Sequence, residues 1–132
     1  MPFHFELVSP ERLLFSGEVD QVIVPGSEGE FTVLANHSPL MTTLRPGIVS
    51  VEGGGAGAQR LFVRGGFADV APTGLTILAE MAMPVADLNG ARLDAELAAA
   101  RSEVEAATTE EGRRQAADRL GQLEQLRPSL GH

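Results

Sequence analysis

Cysteine, tryptophan, tyrosine and lysine are all absent from this chain. Without cysteine there is no disulfide, no thiolate nucleophile and no cysteine-ligated metal. Without lysine there is no Schiff-base chemistry and no lysine for a phosphate-binding loop. All ten basic residues are therefore arginine, and eighteen acids leave a net charge of −8. A nucleic-acid binder needs a basic surface to displace counterions, so that class is excluded. The only aromatics are six phenylalanines, and the core must come mainly from Val, Leu, Ile and Ala. A hydrophobic content of 43% is enough for such a core and argues against disorder. No apolar run approaches the ~20 residues of a membrane span. The N-terminus, MPFHFELVSP, has neither the basic nor the apolar segment of a signal peptide. These absences point to a cytosolic protein, or one on the cytosolic face of something larger.

What is present divides near residue 86 into two regions of different texture. Within 1–86 the apolar runs are short: Phe3–Val8, Arg12–Phe15, Val19–Val24, Glu30–Leu34, Met41–Leu44, Gly47–Glu52, Arg60–Arg64, Phe67–Val70 and Leu75–Ala79. Several alternate with period two, as in Phe3-His4-Phe5-Glu6-Leu7, the pattern of a strand with one face on a core. Turn signals separate them at Ser9-Pro10, Ser16-Gly17, Pro25-Gly26, Ser38-Pro39, Pro46-Gly47, the 53–57 glycine run, Gly65-Gly66 and Pro72-Thr73-Gly74. Short strands and turns at even spacing predict a flattened β-sandwich or barrel of about ten strands.

From Asp87 the composition turns to Ala, Glu, Leu and Arg. Leu93, Leu97, Ala100, Val104 and Ala107 form one helical stripe, with Asn89 as its N-cap. Thr108 and Glu111 fit a capping box, so a second helix starts there. Its stripe is Ala116, Leu120, Leu123 and Leu126, and Pro128 ends it. The expectation is an antiparallel αα-hairpin over 87–132. Each helix is about 18 residues, a length at which isolated helices are marginal in water. Gly112 and Gly121 weaken the second further. The hairpin therefore has to pack on the sandwich or on a partner. Arg113, Arg119 and Arg127 flank the leucine stripe of the second helix. Their stems cover apolar surface, or they form a basic fringe facing an acidic partner.

Catalytic constellations are not apparent. His4, His37 and His132 are far apart in sequence, which makes a metal site improbable. Asn36-His37-Ser38 pairs a base with a hydroxyl, yet neighbouring residues rarely point at one another and no orienting group is indicated. The glycine run at 53–57 lacks the Lys-Ser/Thr of a phosphate loop and lies between strands. Glu28 and Glu30 read as solvated acids. The residues alone describe a binding or assembly protein, not an enzyme.

Two segments carry a family likeness. The first is Pro25-Gly26-Ser27-Glu28-Gly29-Glu30-Phe31, Val33-Leu34, His37-Ser38-Pro39-Leu40, Thr42 and Arg45-Pro46-Gly47. The second is Phe62 to Val70 followed by Thr76-Ile77-Leu78-Ala79-Glu80. Together with Leu7-Val8-Ser9-Pro10-Glu11 and Phe15-Ser16-Gly17, they resemble the epsilon subunit of F-type ATP synthase along the whole chain. The resemblance implies a non-catalytic rotor subunit in the central stalk, at the cytoplasmic face of a bacterial inner membrane. It would couple rotation of the c-ring to gamma and so to ATP synthesis, and it needs no cofactor or metal of its own. By the same resemblance, Ser27, Glu28, Gly29 and Glu30 meet the c-ring, with Glu30 the foremost contact. His37 and Thr42 face gamma. Arg113, Arg119 and Arg127 match, loosely, residues that approach the beta subunit when the helices extend and inhibit ATP hydrolysis.

Some relatives bind ATP through a Leu/Ile-Asp-x-x-Arg-Ala motif. Here that stretch reads Leu88-Asn89-Gly90-Ala91-Arg92-Leu93: the carboxylate has become Asn89, Leu93 replaces the small residue, and Arg92 remains. Tight nucleotide binding is therefore not expected. The two glycines of the second helix also speak against a long, rigid extended form and strong inhibition. Beside the family reading two rivals stay open, a free-standing β-sandwich that binds a small ligand and an enzyme on the same fold using His37 or Glu30.

Overall fold

The computed structural model describes residues 2–53, 58–88 and 90–129, with side chains through Leu126. It divides into two compact units, Met1–Pro84 and Val85–His132.

The first unit is a ten-stranded sheet: β1 (Phe3–Val8), β2 (Leu13–Val19), β3 (Gln21–Gly26), β4 (Gly29–Val33), β5 (Leu40–Leu44), β6 (Gly47–Glu52), β7 (Gln59–Val63), β8 (Gly66–Ala71), β9 (Gly74–Ala79) and β10 (Ala82–Pro84). The strand order is β10-β7-β6-β3-β5-β8-β9-β1-β2, with β4 paired to β3. β6 and β7 stand near one end of that order and β9 and β1 near the other. Their inward residues nevertheless share one core: Val49, Val51, Leu61 and Val63 with Phe5, Leu7, Leu75 and Ile77. The sheet must therefore fold over on itself, giving the expected flattened sandwich. Alternation drives this, because in β1 Phe3, Phe5 and Leu7 are buried while His4 points out. Each fully buried Val, Leu or Phe contributes about 1.5–3 kcal/mol.

Several boundaries differ from expectation. β2 does not stop at Phe15: Ser16 and Gly17 continue the ladder opposite Glu6 and Phe5. The Phe15 ring covers the bare Gly17 backbone and sits 5.3 Å from the Phe5 ring. Pro25-Gly26 is strand, not turn. Pro25 has no N–H to donate, but its carbonyl still accepts the Arg45 N–H at 3.1 Å and keeps this strand end tied. The turn moves to Ser27-Glu28, and Gly29-Glu30 already belongs to β4. β10 went unforeseen. β1 and β9 run parallel, which even spacing of hairpins does not predict. Residues 54–57 of the glycine run lie outside the described residues.

In the second unit a 3-10 turn (Val85–Asp87) leads to α1 (Gly90–Ala106) and α2 (Glu110–Ser129). Three residues join the helices, which pack on each other. Leu93, Leu97, Ala100, Ala116 and Leu123 are buried, whereas Val104, Leu120 and Leu126 are half-buried. The N-cap of α2 is Thr109, one residue later than expected. Its Oγ1 accepts the Gly112 N–H at 3.0 Å, and its carbonyl accepts the Arg113 N–H. The third helical position is thus Gly112 rather than Glu111, so no capping box forms. Pro128 does not end the helix, which runs to Ser129. In a last turn a missing N–H forfeits a single bond. Asn89 lies outside the described residues.

Candidate interaction surface

The β3–β4 hairpin turns on two residues, Ser27 and Glu28, with Gly26 opposite Gly29. Gly29 has φ +138°, a conformation that favours glycine. The turn is fastened sideways to β5. Ser27 N–H donates to the Thr43 carbonyl, and the Thr43 hydroxyl donates to Ser27 Oγ, both at 2.9 Å. Its position is therefore fixed by the sheet. Ser27, Glu28 and Glu30 remain exposed.

A cleft of about 290 Å³ lies beside this turn, lined by Gly26, Glu28, Gly29, Glu30, Phe31, Leu40 and Thr42. Thr42 and the turn, assigned to different partners by resemblance, thus share one cleft. His37 joins the same patch through Phe31, its ring centroid 6.4 Å from the phenyl ring. His37 follows Asn36, whose φ of +63° is the left-handed conformation that asparagine tolerates. Its Nδ1–H donates to the Ser38 carbonyl at 2.7 Å. It is therefore not held as a base for the Ser38 hydroxyl. Among the described residues, no group of three or more His, Asp or Glu could hold a metal ion.

The outward face of β5, β8, β9, β1 and β2 was not foreseen as a site. Phe67 stands opposite Leu78, Leu78 opposite Val8, and Val8 opposite Leu13, with Met41 nearby on β5. Phe67 is 52% exposed, Leu78 54%, Leu13 57% and Met41 69%, so the band is a large apolar surface left open. Period two would have revealed it: with Ala68 and Val70 inward, Phe67 must face out.

The hairpin residues are placed as follows. Arg113 is exposed on α2. Arg119 Nη1 lies 4.0 Å from Glu103 Oε2 of α1, a solvent-exposed pair of little energetic weight. The Arg127 side chain lies outside the described residues. Leu88 is buried, its N–H bonded to the Val85 carbonyl at 3.0 Å. Arg92 Nε is 3.7 Å from Glu96 Oε2 within α1. No described helix is long and apolar enough to cross a membrane.

Residues 2–85 match the family model described as "ATP synthase, Delta/Epsilon chain, beta-sandwich domain". The ATP synthase epsilon chain of Parvibaculum lavamentivorans is 55% identical over 127 residues, covering 96% of both chains. The chain belongs to the ATP synthase epsilon family. The epsilon chain of Maricaulis maris is 50% identical over 129 residues, covering 98% of this chain and 96% of that one. Among solved structures, a chain of the Euglena gracilis mitochondrial ATP synthase (OSCP/F1/c-ring) superposes with a TM-score of 0.74 at 27% identity. The match covers 98% of this chain and 81% of that one. A chain of the Tetrahymena thermophila mitochondrial ATP synthase central stalk and c-ring has the same TM-score at 10% identity, which speaks for the fold alone. The epsilon family thus accounts for both the sandwich and the two helices.

Proposed function

We propose that this chain is a non-catalytic subunit of the central stalk of a rotary ATP synthase, joining the c-ring to gamma at the cytoplasmic face of a bacterial inner membrane. The observation that supports the reading is a sheet that leaves a band of large apolar side chains exposed and carries a cleft beside a turn hydrogen-bonded to β5. The turn Ser27–Glu30 and its cleft serve the c-ring. The apolar band with Met41, Phe67, Leu78 and Leu13 serves gamma, and His37 and Thr42 border the two contacts. Torque needs surfaces that hold their shape, and the backbone bonds from β5 to the turn supply that. The hairpin regulates weakly at most. Arg119 is partnered within the hairpin, and Gly112 and Gly121 lower the stability of an extended α2. Arg113, Arg119 and Arg127 are its candidate contacts with beta.

The chain has no cysteine, so a single introduced one is a clean probe. In native membranes, Glu30→Cys should cross-link to the c-ring, and Met41→Cys and Thr42→Cys to gamma. Capture of all three by one unrelated protein would sink the reading. For the hairpin, truncation after Ala86 should change ATP hydrolysis less than twofold. A full release from inhibition would show that the helices block the enzyme strongly.

A further inference from the structure

The apolar band is interrupted by one carboxylate. A groove of about 320 Å³ on the outward face is lined by Met41, Phe67, Asp69, Thr76 and Leu78. Asp69 pairs across the sheet with Met41 on one side and Thr76 on the other. It is exposed, and its carboxylate makes no hydrogen bond or ion pair with the described residues. The five strands that form this face, β5, β8, β9, β1 and β2, contain no arginine. They do contain Glu6 and Glu18, and Glu6 stands opposite Thr76 in the row of Asp69. Glu80 follows β9 on the other side of the band and is exposed.

An apolar surface bordered by acids restricts what can cover it. A second copy of this chain would set acid against acid, within a net charge of −8 on each. An anionic lipid surface is repelled for the same reason. A partner with a basic side chain beside an apolar ridge meets every feature of the face. We propose that the groove receives an arginine or lysine of a protein partner. Its aliphatic stem lies along Met41, Phe67 and Leu78, and its charged head pairs with Asp69. A long basic side chain suits this mixture, because its stem is apolar and its cation is attracted to an aromatic face. Arginine can also grip the carboxylate with two parallel hydrogen bonds. Asp69 therefore sets the register of the partner along the band, which the apolar contacts alone would leave free to slide.

This inference rests on the reading of the band as the gamma-docking face. The test is binding of the full chain to the purified gamma subunit of the same complex, at low and at physiological salt. Asp69→Asn should weaken binding roughly tenfold and flatten its salt dependence. Asp69→Arg should weaken it further. Phe67→Ser should weaken binding while leaving the salt dependence in place. Asp69 and Phe67 are both exposed, so each variant should keep the wild-type melting temperature, which is checked in parallel. If wild type binds and both Asp69 variants bind equally well, the basic-residue proposal is overturned and the docking face stands. Tighter binding by Asp69→Arg overturns it as well. Failure of wild type to bind gamma overturns both. So does self-association, or adhesion to anionic vesicles, that Phe67→Ser abolishes.

Discussion

Residues Met1–Pro84 gather Phe, Leu, Val and Ile from nearly every strand into one core. Within Val85–His132 the buried described residues are Leu88, Leu93, Leu97, Ala100, Ala116, Leu123 and one acid, Glu96. The strands are tied to neighbours far away in sequence, and backbone bonds cross between them all along the sheet. The helices satisfy their backbone locally and meet each other through a thin apolar stripe. A surface mounted on the sandwich is therefore held by many long-range contacts. The hairpin buries fewer large apolar side chains among the described residues, so small changes should shift it more. On the proposed function, the sandwich would transmit force and the hairpin would regulate.

Breaking the sandwich should cost most. Phe5 is fully buried against Phe15 at the heart of the core. Phe5→Ala should lower unfolding stability by about 3–5 kcal/mol in urea denaturation. A loss below about 1 kcal/mol would mean that the sandwich does not carry the stability assigned to it. Gly66→Ala comes next. Gly66 has φ +131°, and an added Cβ would fall on the Leu78 carbonyl oxygen between two paired strands. Strain and displaced backbone together should cost about 2–3 kcal/mol, read from the same denaturation curve.

The hairpin responds on a smaller scale. Thr109→Ala removes the oxygen that accepts the Gly112 N–H, and an N-cap of this kind is worth ~1 kcal/mol. Amide exchange in the first turn of α2 should accelerate about fivefold, with the β-strand amides unchanged. Equal acceleration in both units would break the comparison, since it would make the whole chain one cooperative block.

The sequence disclosed these two regions unequally. Sandwich strands were legible because alternation and turn residues recur in every one of them. Among the features that escaped, three are instructive. The parallel pairing of β1 with β9 joins segments some seventy residues apart in sequence, and no local signal encodes it. Pro25-Gly26 looked like a turn because the ladder that tolerates a missing N–H is a property of the neighbouring strands. Two adjacent threonines, Thr108 and Thr109, have the same capping chemistry, and only the structure shows that the second is the cap. At the site, the turn residues 27–30 were nameable by resemblance, but their shared cleft with Thr42 required the hydrogen bonds from β5. The apolar band was readable in principle from the outward positions of β8 and β9. It was missed because large hydrophobic residues in strands are ordinarily assigned to the core.

The last change should strengthen the molecule. Gly121 lies inside α2, its φ is not positive, and an added Cβ would meet nothing within 4 Å. Alanine there keeps the backbone and reduces the freedom of the unfolded chain. Gly121→Ala should therefore stabilise α2 by about 0.5–1 kcal/mol. Gly112 is a different case, because its Cβ would approach the Thr109 hydroxyl at 2.8 Å and disturb the cap. Gly66 and Gly121 thus differ in the sign of one substitution: glycine is required at Gly66 of the sheet and merely present at Gly121 of the helix. Slower amide exchange in α2 of Gly121→Ala, with strand exchange unchanged, is the expected result. Faster exchange would mean that the glycine makes room for something α2 approaches. The helical unit would then be as constrained as the sandwich.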